Sequence, residues 1–151
     1  MDKAKLIEKL NEAISLELCG VLQYNQYAQV LLGADRRIWQ KLFTKSSDES
    51  LDHARLFAER VVALGGHPTC EPAAVKQTTD VQEMLANAIA HEKRAVAVYT
   101  EALKAAEGNV AYCNLLEDQI EEETRDTEEF QLYLGQVEKT AAGGRAASKA
   151  G

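Results

Sequence analysis

A chain of 151 residues carrying a formal net charge of −7, with only two Pro, nine Gly and 6% aromatics, is long enough for one domain with a real core. That excess of acid excludes a nucleic-acid backbone as a partner for the body of the fold. No run reaches the apolar length of a membrane helix, and the N-terminus (MDKAKLIEKL) is amphipathic rather than a signal peptide. Abundant Ala, Leu, Glu and Lys point to an all-α protein. Cys19, Cys70 and Cys113 are odd in number and unclustered, which fits reduced thiols in a cytoplasmic protein rather than a disulfide framework.

The first helix is expected from about Asp2, its N-cap, to about Leu32, with Gly33 as its stop. Its seam reads Leu6, Leu10, Ala13, Glu17, Gly20, Tyr24, Tyr27, Leu31, in alternating steps of four and three. Asp35 then caps a second helix carrying Ile38, Leu42, Leu56, Val61 and Leu64, which stops at Gly65-Gly66. From Gly65 to Thr79 the chain (GGHPTCEPAAVKQTT) holds both prolines and no apolar periodicity. A link of that length is too long for a hairpin and reads as a crossover, with His67 and Cys70 as ordinary loop residues. Thr79 or Asp80 starts a third helix with the seam Val81, Leu85, Ala88, Glu92, Ala95, Tyr99, Ala102, Ala106, ending near Gly108. Asn109 caps a fourth, with the seam Tyr112 or Cys113, Leu116, Ile120, Glu123, Thr127, Phe130, Leu134. Residues 1–138 form the bundle, and 139–151, small and polar, are expected to be a disordered tail. The two helical hairpins resemble two copies of one unit.

Glu17, Glu92 and Glu123 are each the lone acid in an apolar stripe. The second helix offers two competing registers, Leu42-Ser46-Glu49-His53-Leu56 and Phe43-Ser47-Ser50-Ala54-Phe57. The first would set Glu49 and His53 one turn apart on the core side. Asp126 follows Glu123 by three residues, and either joins the set or lies on the surface. His91 is expected to face outward. Each uncompensated buried ion costs several kcal/mol, so roughly four carboxylates would cost well over 10 kcal/mol. A domain of this size has about 5–15 kcal/mol of net stability. Nothing basic on these seams neutralises the acids. Either some are protonated or cations occupy the centre, and two divalent ions would balance four glutamates. Oxygen and imidazole donors suit iron, with manganese second.

The stretches ELCGVLQY (Glu17–Tyr24), DESLDHARLFAERVVALGGHP (Asp48–Pro68), HEKRAVAVYTEAL (His91–Leu103) and LLEDQIEEETRDTEEF (Leu115–Phe130) carry a family resemblance. Over about residues 3–136 the chain resembles the ferritin-like di-iron carboxylate proteins, bacterioferritins most of all. The resemblance implies a ferritin-like antiparallel four-helix bundle with one long crossover between the second and third helices. It also implies a Glu from each of the first and third helices and a Glu-x-x-His from each of the others. Glu17, His53, Glu92 and Glu123 fall on those positions, and Tyr24 on the tyrosine beside the iron pair. Three residues depart from the pattern. Ser50 stands where the first motif has Glu, so Glu49 must reach in its place or a ligand is missing. Asp126 stands where the second has His. Leu51 replaces the haem-ligating Met, so no haem is expected.

The expected function is therefore ferroxidase-type: two Fe ions (or Mn) held by Glu17, Glu49, His53, Glu92, Glu123 and Asp126, with O2 or H2O2 as oxidant. Tyr24 is either a core filler or an extra electron donor. The tail lacks the apolar face of a cage-building fifth helix, which favours a homodimer over a large shell. An erythrin-like peroxide scavenger and a non-catalytic bundle with a decayed site are the alternatives.

Overall fold

The computed structural model describes residues 1–149 and the side chains of residues 1–142. Four helices make up the bundle: α1 (Lys3–Val30), α2 (Arg36–Ala63), α3 (Val81–Ala106) and α4 (Val110–Lys149). Asp2 and Asp80 cap α1 and α3 through their carboxylates, which accept from Lys5 N and Glu83 N at 3.1 and 2.9 Å. Asp35 precedes α2 but makes no side-chain cap bond. Gly33, Gly65 and Gly108, which end the first three helices, all have positive φ, where a side chain would be strained. The fourth helix runs on to Lys149, so residues 139–149 are helical rather than the disordered tail expected from their composition. Residues 150–151 of that tail lie outside the described residues.

The connection between α2 and α3 lies along α1. Asn11 Nδ2 donates to His67 O (3.1 Å) and its Oδ1 accepts from Thr69 N (2.7 Å). Ser15 O accepts from Ala73 N at 2.8 Å, Cys19 Sγ donates to Ala74 O at 3.4 Å, and Gln23 Oε1 accepts from Lys76 N at 2.9 Å. Tyr27 donates to Lys76 O at 2.9 Å. Residues 11, 15, 19, 23 and 27 are spaced four apart, so one stripe of α1 satisfies the backbone of an extended segment that has no ladder of its own. The crossover carries the chain the full length of the bundle. For that reason α3 starts at the far end, runs antiparallel to α1, and places Ala105 O against Asp2 N at 2.7 Å.

The helix α1 packs on α2 and α3, and α3 packs on α4; among the described residues no Cα pair of α2 and α4 comes within 8 Å. Three sides of the square are thus closed by backbone packing and the fourth is bridged by side chains. The interior divides into two apolar clusters. One holds Leu6, Leu10, Phe57, Val61, Tyr99 and Leu116. The other holds Tyr24, Tyr27, Phe43, Met84, Leu85 and Phe130. Between them lies a layer of buried polar side chains: Glu17, Ser46, Ser47, Ser50, His53, His91, Glu92, Glu123 and Thr127. On α2 the Phe43–Phe57 register is the buried one. Both rings are fully enclosed, while Leu42 and Leu56 are half-buried and Ile38 is exposed. Two phenyl rings bury more apolar area than two leucines, and that difference sets the rotation of the helix.

Candidate metal centre

Each of the four helices sends a side chain into the polar layer. His53 Nδ1 lies 2.8 Å from Glu123 Oε1 and 3.9 Å from Glu17 Oε2. One donor atom from each of Glu17, His53 and Glu123 can be chosen so that all lie within 4.8 Å of one another, a spacing that one metal ion could bridge. Glu92 is as deeply buried and receives a short hydrogen bond from Tyr24. Tyr99 bonds Glu17 in the same way and reaches Glu123 Oε1 at 3.4 Å. Each tyrosine is held by aromatic neighbours, Tyr99 by Phe57 (centroids 4.9 Å) and Tyr24 by Phe43 and Phe130 (6.1 Å each).

No Lys or Arg side chain is buried among the described residues, so protons carry the burden of charge. Burial and the Glu123 carboxylate push Glu17 up to about 8, despite the opposing pull of His53 and of hydrogen bonds from Tyr99 and Ser50. Burial, Glu123 and Glu17 raise Glu92 well above the carboxylate range. Burial works against a charged His53, but its hydrogen bond to Glu123 and the charge of Glu17 outweigh this and raise it to about 9. Both tyrosines are raised, first by burial and then by the carboxylates they touch. Such a centre keeps its protons until something positive replaces them. The donor set of three carboxylates and an imidazole matches hard or borderline divalent cations.

Two of the residues expected in the centre lie apart from this group. Rotation of α2 turns Glu49 off axis, where it pairs with Lys45 at 2.6 Å and leaves Oε2 buried without a hydrogen-bond partner. Asp126 is half-buried beside it, raised to about 6 by burial and by Glu49 and Glu123. Glu49 and Asp126, with Lys45, Glu122, Arg125 and Glu129, line a cavity of about 310 Å³ between α2 and α4, the side without close backbone packing. Ser50 is buried on the inward side, but a hydroxyl brings no carboxylate.

Two features escaped the sequence. Glu122 reaches back to His53 Nε2 at 3.5 Å, although in the run Glu121–Glu123 the apolar stripe marks Glu123 alone as turned inward. His91, expected outside, is 9% exposed: α1 carries a glycine opposite it, and the ring fills the space. Burial, aided by Arg94 and Lys76, lowers it to about 4 against the opposite pull of Glu123.

An antiparallel four-helix bundle whose mid-layer gathers three glutamates and a histidine from four helices belongs to the carboxylate-centred bundle class. More narrowly, the family model described as Ferritin: Ferritin-like domain matches residues 7–140, and the chain belongs to that family. It is 31% identical over 124 residues to the bacterioferritin of Desulfovibrio desulfuricans, spanning 80% of this chain and 69% of that protein. The structure of a ferritin-like diiron-carboxylate protein from Bacillus anthracis superimposes with a TM-score of 0.85 at 33% identity, covering 89% of this chain and 98% of that one. A dodecameric thioferritin from Bacteroides fragilis, described as bacterioferritin-related, gives 0.86 at 25% identity over 95% and 92%. None of the helices described is long and apolar enough to cross a membrane.

Proposed function

We propose that the protein is a dinuclear iron protein with ferroxidase-type activity, taking Fe(II) as substrate and O2 or peroxide as oxidant. The observation that carries this reading is the convergence of Glu17, His53, Glu92 and Glu123 between two apolar clusters, with no buried Lys or Arg among the described residues to balance them. Glu17, His53 and Glu123 would hold one ion, with Glu92 and the shared Glu123 holding part of the second. Iron supplies the electrons: two Fe(II) give two electrons to one peroxide, which takes up two protons and leaves as two waters.

The chain's residues set the conditions. As iron enters, Glu17 and Glu92 give up their protons, so binding releases acid. Tyr24 and Tyr99 hold Glu92 and Glu17 in place, and the apolar clusters exclude water above and below the layer. Tyr24 is the residue we assign as an additional electron donor. The cavity lined by Glu49, Glu122, Asp126 and Glu129 gives cations an acidic approach to His53. Thus Glu49 and Asp126 serve this reading as approach residues or as outer ligands. With Leu51 in place of the haem-ligating Met, we propose no haem. We expect an oligomer of at least two chains, as the Bacteroides relative is an assembly of twelve.

Anaerobic loading with Fe(II), followed by O2 or H2O2, tests the proposal through the near-ultraviolet absorption of Fe(III) and the iron-to-oxidant ratio. Two Fe(II) per chain, both oxidised, support it. Consumption of peroxide much faster than O2 moves the function to peroxide removal. A chain that binds no iron is a structural bundle, and the proposal fails.

A further inference from the structure

We infer that His91 is a nitrogen donor to the metal centre, entering beside Ser50, where the first Glu-x-x-His motif lacks its carboxylate. The inference rests on the proposed function and adds to it a ligand from α3. His91 Nε2 is fully buried and has no hydrogen-bond partner, and it is the one imidazole nitrogen so placed among the described residues. It faces the core: Nε2 lies 3.1 Å from the point where a Cβ on Gly20 would stand. Ser50 Oγ crowds that same point from α2, and Ser50 lies near enough to Glu17 to favour its charged form. Gly20 is one turn beyond Glu17 on the inward stripe of α1. The imidazole is therefore aimed at the spot beside residue 50 where the pattern calls for a carboxylate, and the bare glycine lets it come in.

The ring meets Tyr24 edge-on (centroids 5.8 Å, 84°), the tyrosine whose hydroxyl holds Glu92. A buried nitrogen with no partner is costly, and folded proteins keep few of them. A cation in the layer would satisfy it. The donor count also balances: Glu17, Glu92 and Glu123 with two imidazoles, His53 and His91, make up for part of what Ser50 and Asp126 remove. A divalent pair needs such a count, since oxygen donors alone would leave the second ion with Glu92 and a share of Glu123.

The test uses the full-length protein with Co(II), bound anaerobically and followed by its visible bands, by native mass spectrometry and by thermal melting, in wild type and in His91→Phe and His91→Gln. The wild type should bind two Co(II) per chain. His91→Phe should hold one as before and bind the second about tenfold or more weakly. Its metal-free melting temperature should stay level or rise, since an unsatisfied nitrogen is gone, while the increment produced by Co(II) shrinks. Should the phenyl variant misfold, His91→Gln must show the same loss. Unchanged stoichiometry and affinity in both variants overturns the inference and leaves the functional proposal standing. A wild type that binds neither Co(II) nor Fe(II) removes both.

Discussion

Raising the pH of the metal-free protein from 6.5 to 8 should destabilise it, against the usual behaviour of an acidic domain. The cause is Glu17, whose carboxyl is pushed up to about 8 in the fold from an ordinary value of 4.5. A group with a raised folded pKa binds more protons in the native state, so its contribution is fully present below the unfolded pKa and is lost as pH rises through the folded one. One proton difference is worth about 1.4 kcal/mol per pH unit, so Glu17 alone removes about 2 kcal/mol across this window. His53, raised from 6.5 to about 9, acts with the same sign. Asp126, raised from 3.8 to about 6, has the same sign but acts mainly below the window, and the one opposing group among these, His91, lowered from 6.5 to about 4, also acts mainly below it. For a chain of this size about 2 kcal/mol is a fall of roughly 4–8 °C in melting temperature. Calorimetry in the presence of a chelator, repeated with Mn(II), reads both halves of the argument. The metal should abolish or reverse the slope, because it takes the place of the protons. A metal-free melting temperature that is flat or rises over this range refutes the assignment of Glu17 as a protonated buried acid. So does a Glu17→Gln variant that keeps the wild-type slope.

Glu92→Gln should leave metal-free stability within about 1 kcal/mol at pH 6 and raise it at pH 8, while weakening the second ion; parallel melts and metal titrations check both. Gly20→Ala should cost about 1–3 kcal/mol in denaturant unfolding, since the new methyl collides with Ser50 Oγ and presses on His91. Combining Asn11→Ala with Gln23→Ala removes three hydrogen bonds to the crossover, at about 0.5–1.5 kcal/mol each. Limited proteolysis should then cut between residues 67 and 77 well before the helices, and a protease pattern identical to wild type would show the link to be held by other means.

Most of the centre was legible because a helix repeats every 3.6 residues, so Glu17, Glu92 and Glu123 announce their direction by the apolar residues three and four away on either side. Glu49 was not. On α2 two stripes compete, and the enclosure of Phe43 and Phe57 decides between them, turning Glu49 toward Lys45 and keeping His53 at the edge of the layer. Asp126 lies one turn from Glu123 but is rotated toward the cavity it shares with Glu49. The side chains of Asn11, Cys19, Gln23 and Tyr27, which hold the crossover at four-residue steps or multiples of four, carried no such legible pattern.

The amino-acid order alone determined four helices, the ends of the first three, the long link and the three acids aimed inward, because periodicity, caps and glycine stops are local properties. The burial of His91 and the separation of Glu49 from the centre were decided only by tertiary structure. A residue's angle on its own helix is set by the backbone, but whether that angle meets water, a glycine or a phenyl ring depends on the volume its neighbours leave.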